Sequence, residues 1–441
     1  MKKISFIALL FIAFVCLNSC EENIPNEYGI PSKDTTMLWP AQTDTSALWG
    51  YINEKGKMVI PAQYINAAYF SGGKACVILE NRRYAFINQL GQTLYTLAEG
   101  EICSSFYYGY STFCDYKEVP PSFGFTSLYG FYGMLDSNFN VVIPKEYNGL
   151  GTMSKEGLVS YSVVDAEGHH KYGFLNKHGK TVIAPQDGYV LGFYDGVSVK
   201  ELDGKFGAIN TKGKWVIDTI YNVLASVGEN RLVYGEKRYG MWLCGLMDTK
   251  GRKITEPIFR GYAFFGDGGL MPVWSPRYGD EDITGTIEGY INIDGEVVLP
   301  FNEIYYKPEP FNEGVTWVYK YTDPDASMEE QVYGTLTPEL INMQGDVLFS
   351  LNEGQSVESN YHNGLCLIHD TNDNSYKYIN KQGEVVYRWT PYRGESNAPE
   401  LQKPARLSKD EMLLKHFEGT EYYPLAEQCV RNKQMRENLK K

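Results

Sequence analysis

Cysteine, histidine and clustered carboxylates are the residues here whose types and spacing could do chemistry. Of the eight cysteines, none forms a Cys-x-x-Cys pair, so no zinc or dithiol centre is expected. Cys103 and Cys114 flank Tyr108-Gly109, and a two-residue turn there would set them opposite one another on a hairpin. They are the expected disulfide in an oxidising compartment. Cys76, Cys244 and Cys366 sit in apolar runs and read as small buried hydrophobes. His169-His170 could ligate a metal, but it lies in the polar loop Asp165-Ala166-Glu167-Gly168 and reads as solvated. Asp280-Glu281-Asp282, Asp323-Pro324-Asp325 and Asn372-Asp373-Asn374 are acidic loops without the spacing of a calcium loop. Gly266-Asp267-Gly268-Gly269 lacks the third glycine and the following helix of a dinucleotide loop. No nucleophile elbow, phosphate loop or zinc-protease motif occurs, so no catalytic residue, metal or cofactor is assigned and an enzyme is not expected. Aromatics are the remaining candidates. Tyr107, Tyr108, Tyr110, Phe123 and Phe125 crowd one stretch and could stack on a sugar ring or anchor a protein.

The chain carries 41 Lys and Arg against 54 Asp and Glu, a net charge of −13. That acidity argues against nucleic acid as a partner. A hydrophobic content of 43% excludes a disordered tail protein. Residues 1–20 read as an export signal: Lys2 and Lys3, then an apolar run from Ile4 to Leu17 that is too short for a comfortable membrane span. It ends in Leu17-Asn18-Ser19-Cys20, which resembles the bacterial lipoprotein box. The resemblance implies that Cys20 is acylated and becomes the mature N-terminus, anchored in a membrane through lipid. Glu21-Glu22 resembles a surface-export signal of Gram-negative lipoproteins. The expected address is therefore the cell envelope, in the outer membrane. Residues 21–36, with Pro25 and Pro31, read as a tether.

From residue 37 to 390 the sequence repeats. An Asn or Asp recurs at Asn53, Asn88, Asp136, Asn176, Asn210, Asp248, Asn292, Asn342 and Asn380. The residue before it is aliphatic or Met, and the residue six after it is aliphatic, from Val59 to Val386. The two are expected to face one core from paired strands. A Gly stands three after it in all but the third copy: Gly56, Gly91, Gly179, Gly213, Gly251, Gly295, Gly345 and Gly383. This spacing predicts a three-residue hairpin loop, with the Asn side chain capping the turn and the Gly in the left-handed conformation of a closing bulge. In the third copy Phe139 holds the Gly place, and Asn138 is expected to supply the left-handed residue. A Pro (Pro61, Pro144, Pro185, Pro257, Pro300) is expected to stop the strand that follows.

Trp49-Gly50, echoed by Tyr132-Gly133, Tyr172-Gly173 and Phe206-Gly207, resembles the opening of the WG repeat. Copies two, eight and nine carry Ala85, Glu339 and Lys377 at the Gly place. The resemblance implies an all-β repeat scaffold used for recognition. With the export signal and the missing catalytic motifs, a protein or glycan partner at the envelope is expected. The alternatives are a glycan hydrolase using loop carboxylates and a structural spacer. Nine units of about 41 residues suit a propeller-like ring of antiparallel meanders, with an open β superhelix as the alternative. Residues 391–441 are expected to form a linker and two short helices, the first opened by the capping box Ser408 to Glu411.

Overall fold

The computed structural model describes residues 38–115, 130–238, 241–274, 289–301, 305–306, 308–321 and 336–392. Cys20, the tether, Phe123, Phe125, Cys429 and the C-terminal helices lie outside the described residues. The fold is an all-β propeller of nine small antiparallel sheets, each a meander whose strands pair in chain order. The fourth sheet shows the full pattern: Gly149–Leu150, Leu158–Val164, His170–Asn176 and Thr181–Gln186. The first sheet has three strands, Leu38–Thr43, Ser46–Asn53 and Met58–Tyr64. The ninth has four, Gln355–Val357, Cys366–Asp370, Ser375–Ile379 and Val385–Trp389.

One hydrophobic cluster fills each gap between neighbouring sheets. Tyr51 and Ile60 meet Phe70 and Val77 between the first and second, and Phe86 meets Phe113 and Leu135 between the second and third. The series runs on through Phe174 with Phe193, Ile217 with Tyr234, and Tyr290 with Phe311. Trp317 and Leu340 then meet Ile368 and Ile379 between the eighth and ninth sheets. The last cluster joins Tyr378 and Trp389 of the ninth sheet to Trp39, Ala41 and Ile52 of the first. The ring is closed, which removes the open-superhelix alternative. Blades converge towards a propeller axis, so strands near it are covered on both faces. The first strand of the fifth sheet, Val197–Leu202, has its first four residues buried. The last strand of the fourth sheet, Thr181–Gln186, keeps only Ile183 buried. Strand order therefore runs from the axis outwards.

The hairpin loops form as the spacing predicts. In the first copy the Asn53 side-chain oxygen accepts the backbone N–H of Lys55 at 3.1 Å and of Lys57 at 3.0 Å, and Gly56 sits at φ 71°. The same pair of bonds recurs at Asn176, Asn210, Asp248, Asn292 and Asn380, with Gly179, Gly213, Gly251, Gly295 and Gly383 all at positive φ. The third copy corrects one expectation. Phe139 itself takes the left-handed place at φ 65°, and Asn138 does not. Its ring stacks on Tyr95 of the second sheet at 5.0 Å, contact that offsets the strain of a non-glycine residue there.

The bulge corrects a second expectation. Ile52 pairs with Met58, yet Tyr51 pairs with Ile60, so Val59 has no partner in the ladder. One inserted residue reverses which face the strand presents. Val59 is 43% exposed and Ile60 2%. The same inversion leaves Val182, Val216, Val298 and Leu348 exposed, while Ile183 and Ile217 enter the core. The core residue is thus the seventh after the Asn, not the sixth. The Pro expectation holds at Pro300, where Val297–Pro300 ends, and fails in three copies: Met58–Tyr64, Val141–Tyr147 and Thr181–Gln186 run through Pro61, Pro144 and Pro185. All three prolines are exposed on the outer edge strand, where an absent N–H costs no ladder bond and discourages edge pairing.

The Gly that names the motif has a steric reason. A Cβ at Gly50 would lie 2.3 Å from the Ile60 carbonyl oxygen, and one at Gly133, Gly173 or Gly207 would lie 2.5–2.7 Å from the equivalent oxygen. In these four copies the pairing slips again beside the Gly, as between Tyr51/Ile60 and Trp49/Tyr64, so the outer strand folds across it. Where the Gly is absent no slip occurs: Ala85 pairs with Thr96, Glu339 with Ser350 and Lys377 with Arg388 in unbroken register.

Candidate functional site

Strands alternate in direction, so the loops joining first to second strand and third to fourth strand share one end of the ring. The two loop sets touch there: the Lys381 ammonium donates to the Glu313 carbonyl at 2.6 Å, and the Arg231 guanidinium to the Ile293 carbonyl at 2.7 Å. Nearer the axis, a carboxylate of one sheet accepts a backbone N–H of the next. Glu156 takes Gly196 at 2.8 Å and Asp195 takes Asn230 at 2.7 Å. Asp267 takes Gly314 at 2.9 Å and Glu313 takes Gly364 at 2.8 Å. These turns are the aromatic-x-acid-Gly elements of the sequence, and the acid joins neighbouring sheets. The Gly266 to Gly269 stretch is the seventh sheet's own copy of this turn, as read from its sequence.

Farther out stand the Asn-Gly hairpin tips, and their charges are sorted around the ring. The fourth, fifth and sixth sheets carry Lys177, Lys180, Lys212, Lys214, Lys250 and Arg252, all exposed. The seventh and eighth carry Asp294, Glu296 and Asp346. Among these six cations, Arg252 pairs with its own Asp248 at 3.2 Å, and the five lysines carry no ion pair among the described residues. The nearby turn carboxylates Glu156 and Asp195 are engaged by backbone N–H groups. A cationic arc thus stands on a chain of net charge −13. Exposed apolar residues flank it on the outer strands: Val182, Trp215 and Val216. Sequence reading by motif missed this arc. The signal lay mainly in two columns of the aligned repeat, the second and fourth residues after the Asn, which hold Lys180, Lys212, Lys214, Lys250 and Arg252, with Lys177 one residue after its Asn.

The aromatic candidates lie elsewhere. Tyr107, Tyr108 and Tyr110 are half-buried in the third sheet's axial turn, where Tyr108 and Tyr110 pack against Met134, Ile143 and Met153. Phe123 and Phe125 are outside the described residues.

The disulfide expectation is corrected. Cys103 pairs with Phe113, and Cys114 with Ile102. The two-residue turn forms as expected, with Tyr107 and Tyr110 exchanging both backbone hydrogen bonds around Tyr108-Gly109. The register then shifts by one between that turn and the strand pair, so the two thiols point to opposite faces. Cys103 instead faces Cys76.

The Asn372-Asp373-Asn374 loop is a structural turn. Asp373 accepts the Ser375 N–H and pairs with Lys377 and Arg388. Beside it, Lys377 at 2.7 Å and Gln355 at 2.8 Å hold the Asp370 carboxyl down to about 2. That lies below the ~3.9 of an unfolded aspartate. The unfolded chain therefore binds the proton more readily, and this contribution is complete above about pH 4 and lost as pH falls towards 2. Asp370→Asn is expected to cost about 1–2 kcal/mol at pH 7 and to flatten the stability curve between about pH 4 and 2. Urea midpoints across that range check it.

Five segments match the WG containing repeat: residues 49–82, 132–163, 172–206, 206–232 and 289–321. Each runs from the strand that leads into the Asn turn of one sheet into the next sheet, so the sequence repeat straddles two sheets. No curated protein matches the sequence. Similar solved structures include BamB from Moraxella catarrhalis, 12% identical over 66% of this chain and 83% of that one, TM-score 0.33. Apo AztD from Citrobacter koseri is 10% identical over 81% and 95%, TM-score 0.34. The β-propeller domain of the Trilobed protease from Pyrococcus furiosus is 9% identical over 70% and 100%, TM-score 0.35.

Proposed function

From a chain that contains WG repeats closed into a nine-sheet ring, we propose a lipid-anchored, non-catalytic scaffold that holds a partner at the cell envelope. The observation that carries the reading is the cationic arc of the fourth to sixth sheets. Five lysines without ion pairs, on rigid turns fixed by two hydrogen bonds each, form a pre-ordered surface for an acidic protein or an anionic glycan. The exposed Val182, Trp215 and Val216 supply apolar contact beside the charge. Nucleic acid is disfavoured by the chain's own net charge of −13. The turn carboxylates at the sheet junctions already serve backbone N–H groups, which supports binding over hydrolysis. The anchor rests on the Leu17 to Cys20 box, and the outer-membrane address on that box with Glu21-Glu22.

The test is capture from the intact envelope with the acylated protein as bait. Lys212→Glu with Lys214→Glu and Lys250→Glu is expected to lower capture of the partner by at least about tenfold and to remove its salt dependence. Asp294→Lys with Glu296→Lys serves as the control and is expected to leave capture intact. Cys20→Ser is expected to release the bait from the membrane fraction while preserving capture in solution. Equal capture by wild type and the triple variant contradicts the binding face. Release of sugar fragments from envelope glycan by the purified chain contradicts a non-catalytic role.

A further inference from the structure

We propose that Cys76 and Cys103 form a disulfide that ties the second sheet to the third. Cys76 lies in the strand Ala75–Ile78 of the second sheet, and Cys103 ends the strand Glu101–Cys103 that opens the third. Their sulfurs stand 3.2 Å apart, although the residues are 27 positions apart in sequence. Both belong to the apolar cluster between these sheets, beside Phe86, Phe106 and Phe113, which fixes the two strands against one another. The remaining described thiols are placed differently. Cys114 faces away from Cys103 across the strand and lies beside Tyr132. Cys244 and Cys366 belong to other clusters, between the sixth and seventh and between the eighth and ninth sheets.

The reaction is thiol–disulfide exchange with a small-molecule disulfide or an oxidoreductase disulfide as the oxidant. One cysteine thiolate attacks the oxidant, forming a mixed disulfide and expelling one thiolate. The second cysteine, as thiolate, attacks the protein sulfur of that mixed bond, forms the Cys76–Cys103 bond and expels the other thiolate. The protein loses two electrons and two protons, and the oxidant is reduced to two thiols. Burial and the neighbouring Cys76 hold the Cys103 thiol up, so the step belongs to folding, before the cluster closes over the pair. The inference is independent of the binding face and of the lipid anchor.

The experiment is refolding of the purified chain in mixed reduced and oxidised glutathione, followed by alkylation and trypsin digestion without reduction. The expected product links the peptide of residues 75–82 to that of residues 84–117, lighter by two hydrogens than the two reduced peptides together. The linked form is expected to exceed glutathione adducts of Cys76 by at least about tenfold. Cys114→Ser is expected to keep the link and Cys103→Ser to abolish it, with circular dichroism showing that both variants fold. Cys76 fully alkylated in the folded wild type, or linked to any cysteine other than Cys103, overturns the proposal.

Discussion

Trp39→Ala is expected to cost about 3–5 kcal/mol, among the largest losses available to a single substitution in this chain. Among the described residues each sheet is made from one continuous stretch, and no strand of the first sheet pairs with the ninth. The two are joined there by face-to-face packing and a few hydrogen bonds. Trp39 is the centre of that seam. Its side chain is fully buried, its indole N–H donates to the His362 carbonyl at 2.7 Å, and it packs with Trp389 and Tyr378. Around it the Tyr378 hydroxyl donates to the Pro40 carbonyl and the Tyr387 hydroxyl to the Gln42 carbonyl, each at 2.8 Å. Removing the indole leaves a cavity, one lost hydrogen bond and a weakened join together. Trp242→Ala, at an indole that is largely outside the core, is expected to change stability by less than about 0.5 kcal/mol. Urea unfolding checks both. A Trp39→Ala cost within error of Trp242→Ala would show that the seam does not hold the ring.

Gly56→Ala is expected to cost about 3 kcal/mol or more, for two additive reasons. Its φ of 71° disfavours any side chain by about 1–2 kcal/mol. A Cβ there would also stand 2.2 Å from the Val386 carbonyl oxygen of the ninth sheet, so the seam must shift to admit it. Gly204 separates the two effects. It has φ 75° with open space around its Cβ position, so Gly204→Ala is expected to cost only the conformational part, about 1–2 kcal/mol. Equal losses from the two substitutions would show that contact across the seam contributes nothing.

The same contact recurs round the ring and explains what sequence reading could and could not reach. A hairpin loop is local chemistry: Asn53 and Gly56 lie within four residues, so their spacing alone predicts the turn. What Gly56 touches is not local. The turn glycine of each sheet abuts the outer strand of the sheet before it, as Gly91 meets Ile60, Gly213 meets Ile183 and Gly251 meets Ile217. Residues far apart in sequence are involved, and no spacing rule contains them. The bulge misled in a different way. Val59 and Ile60 are both aliphatic, and periodicity cannot show which one the extra residue turns inwards. The disulfide failed by one residue of register, because the pairing shifts between the Tyr108-Gly109 turn, which forms as expected, and the strands that carry the two cysteines. The role of Gly50 was visible as a pattern but not as a cause, since the crossing of the outer strand over it is set by the second slip in pairing. The charged arc was legible throughout, in Lys180, Lys214 and Arg252 four residues after the turn Asn or Asp, once position within the repeat is used in place of motif.

A distance across the seam tests ring closure most directly. Nitroxides carried on ketone side chains introduced at positions 57 and 384 would report the gap between the first and ninth hairpin tips. The same labels at 214 and 252 report the gap between the neighbouring fifth and sixth tips. A closed ring makes the two distance distributions coincide, because both pairs then sit on adjacent sheets. A separation between 57 and 384 far longer than that between 214 and 252 would mean that the first and ninth sheets do not meet, and that the chain is an open coil.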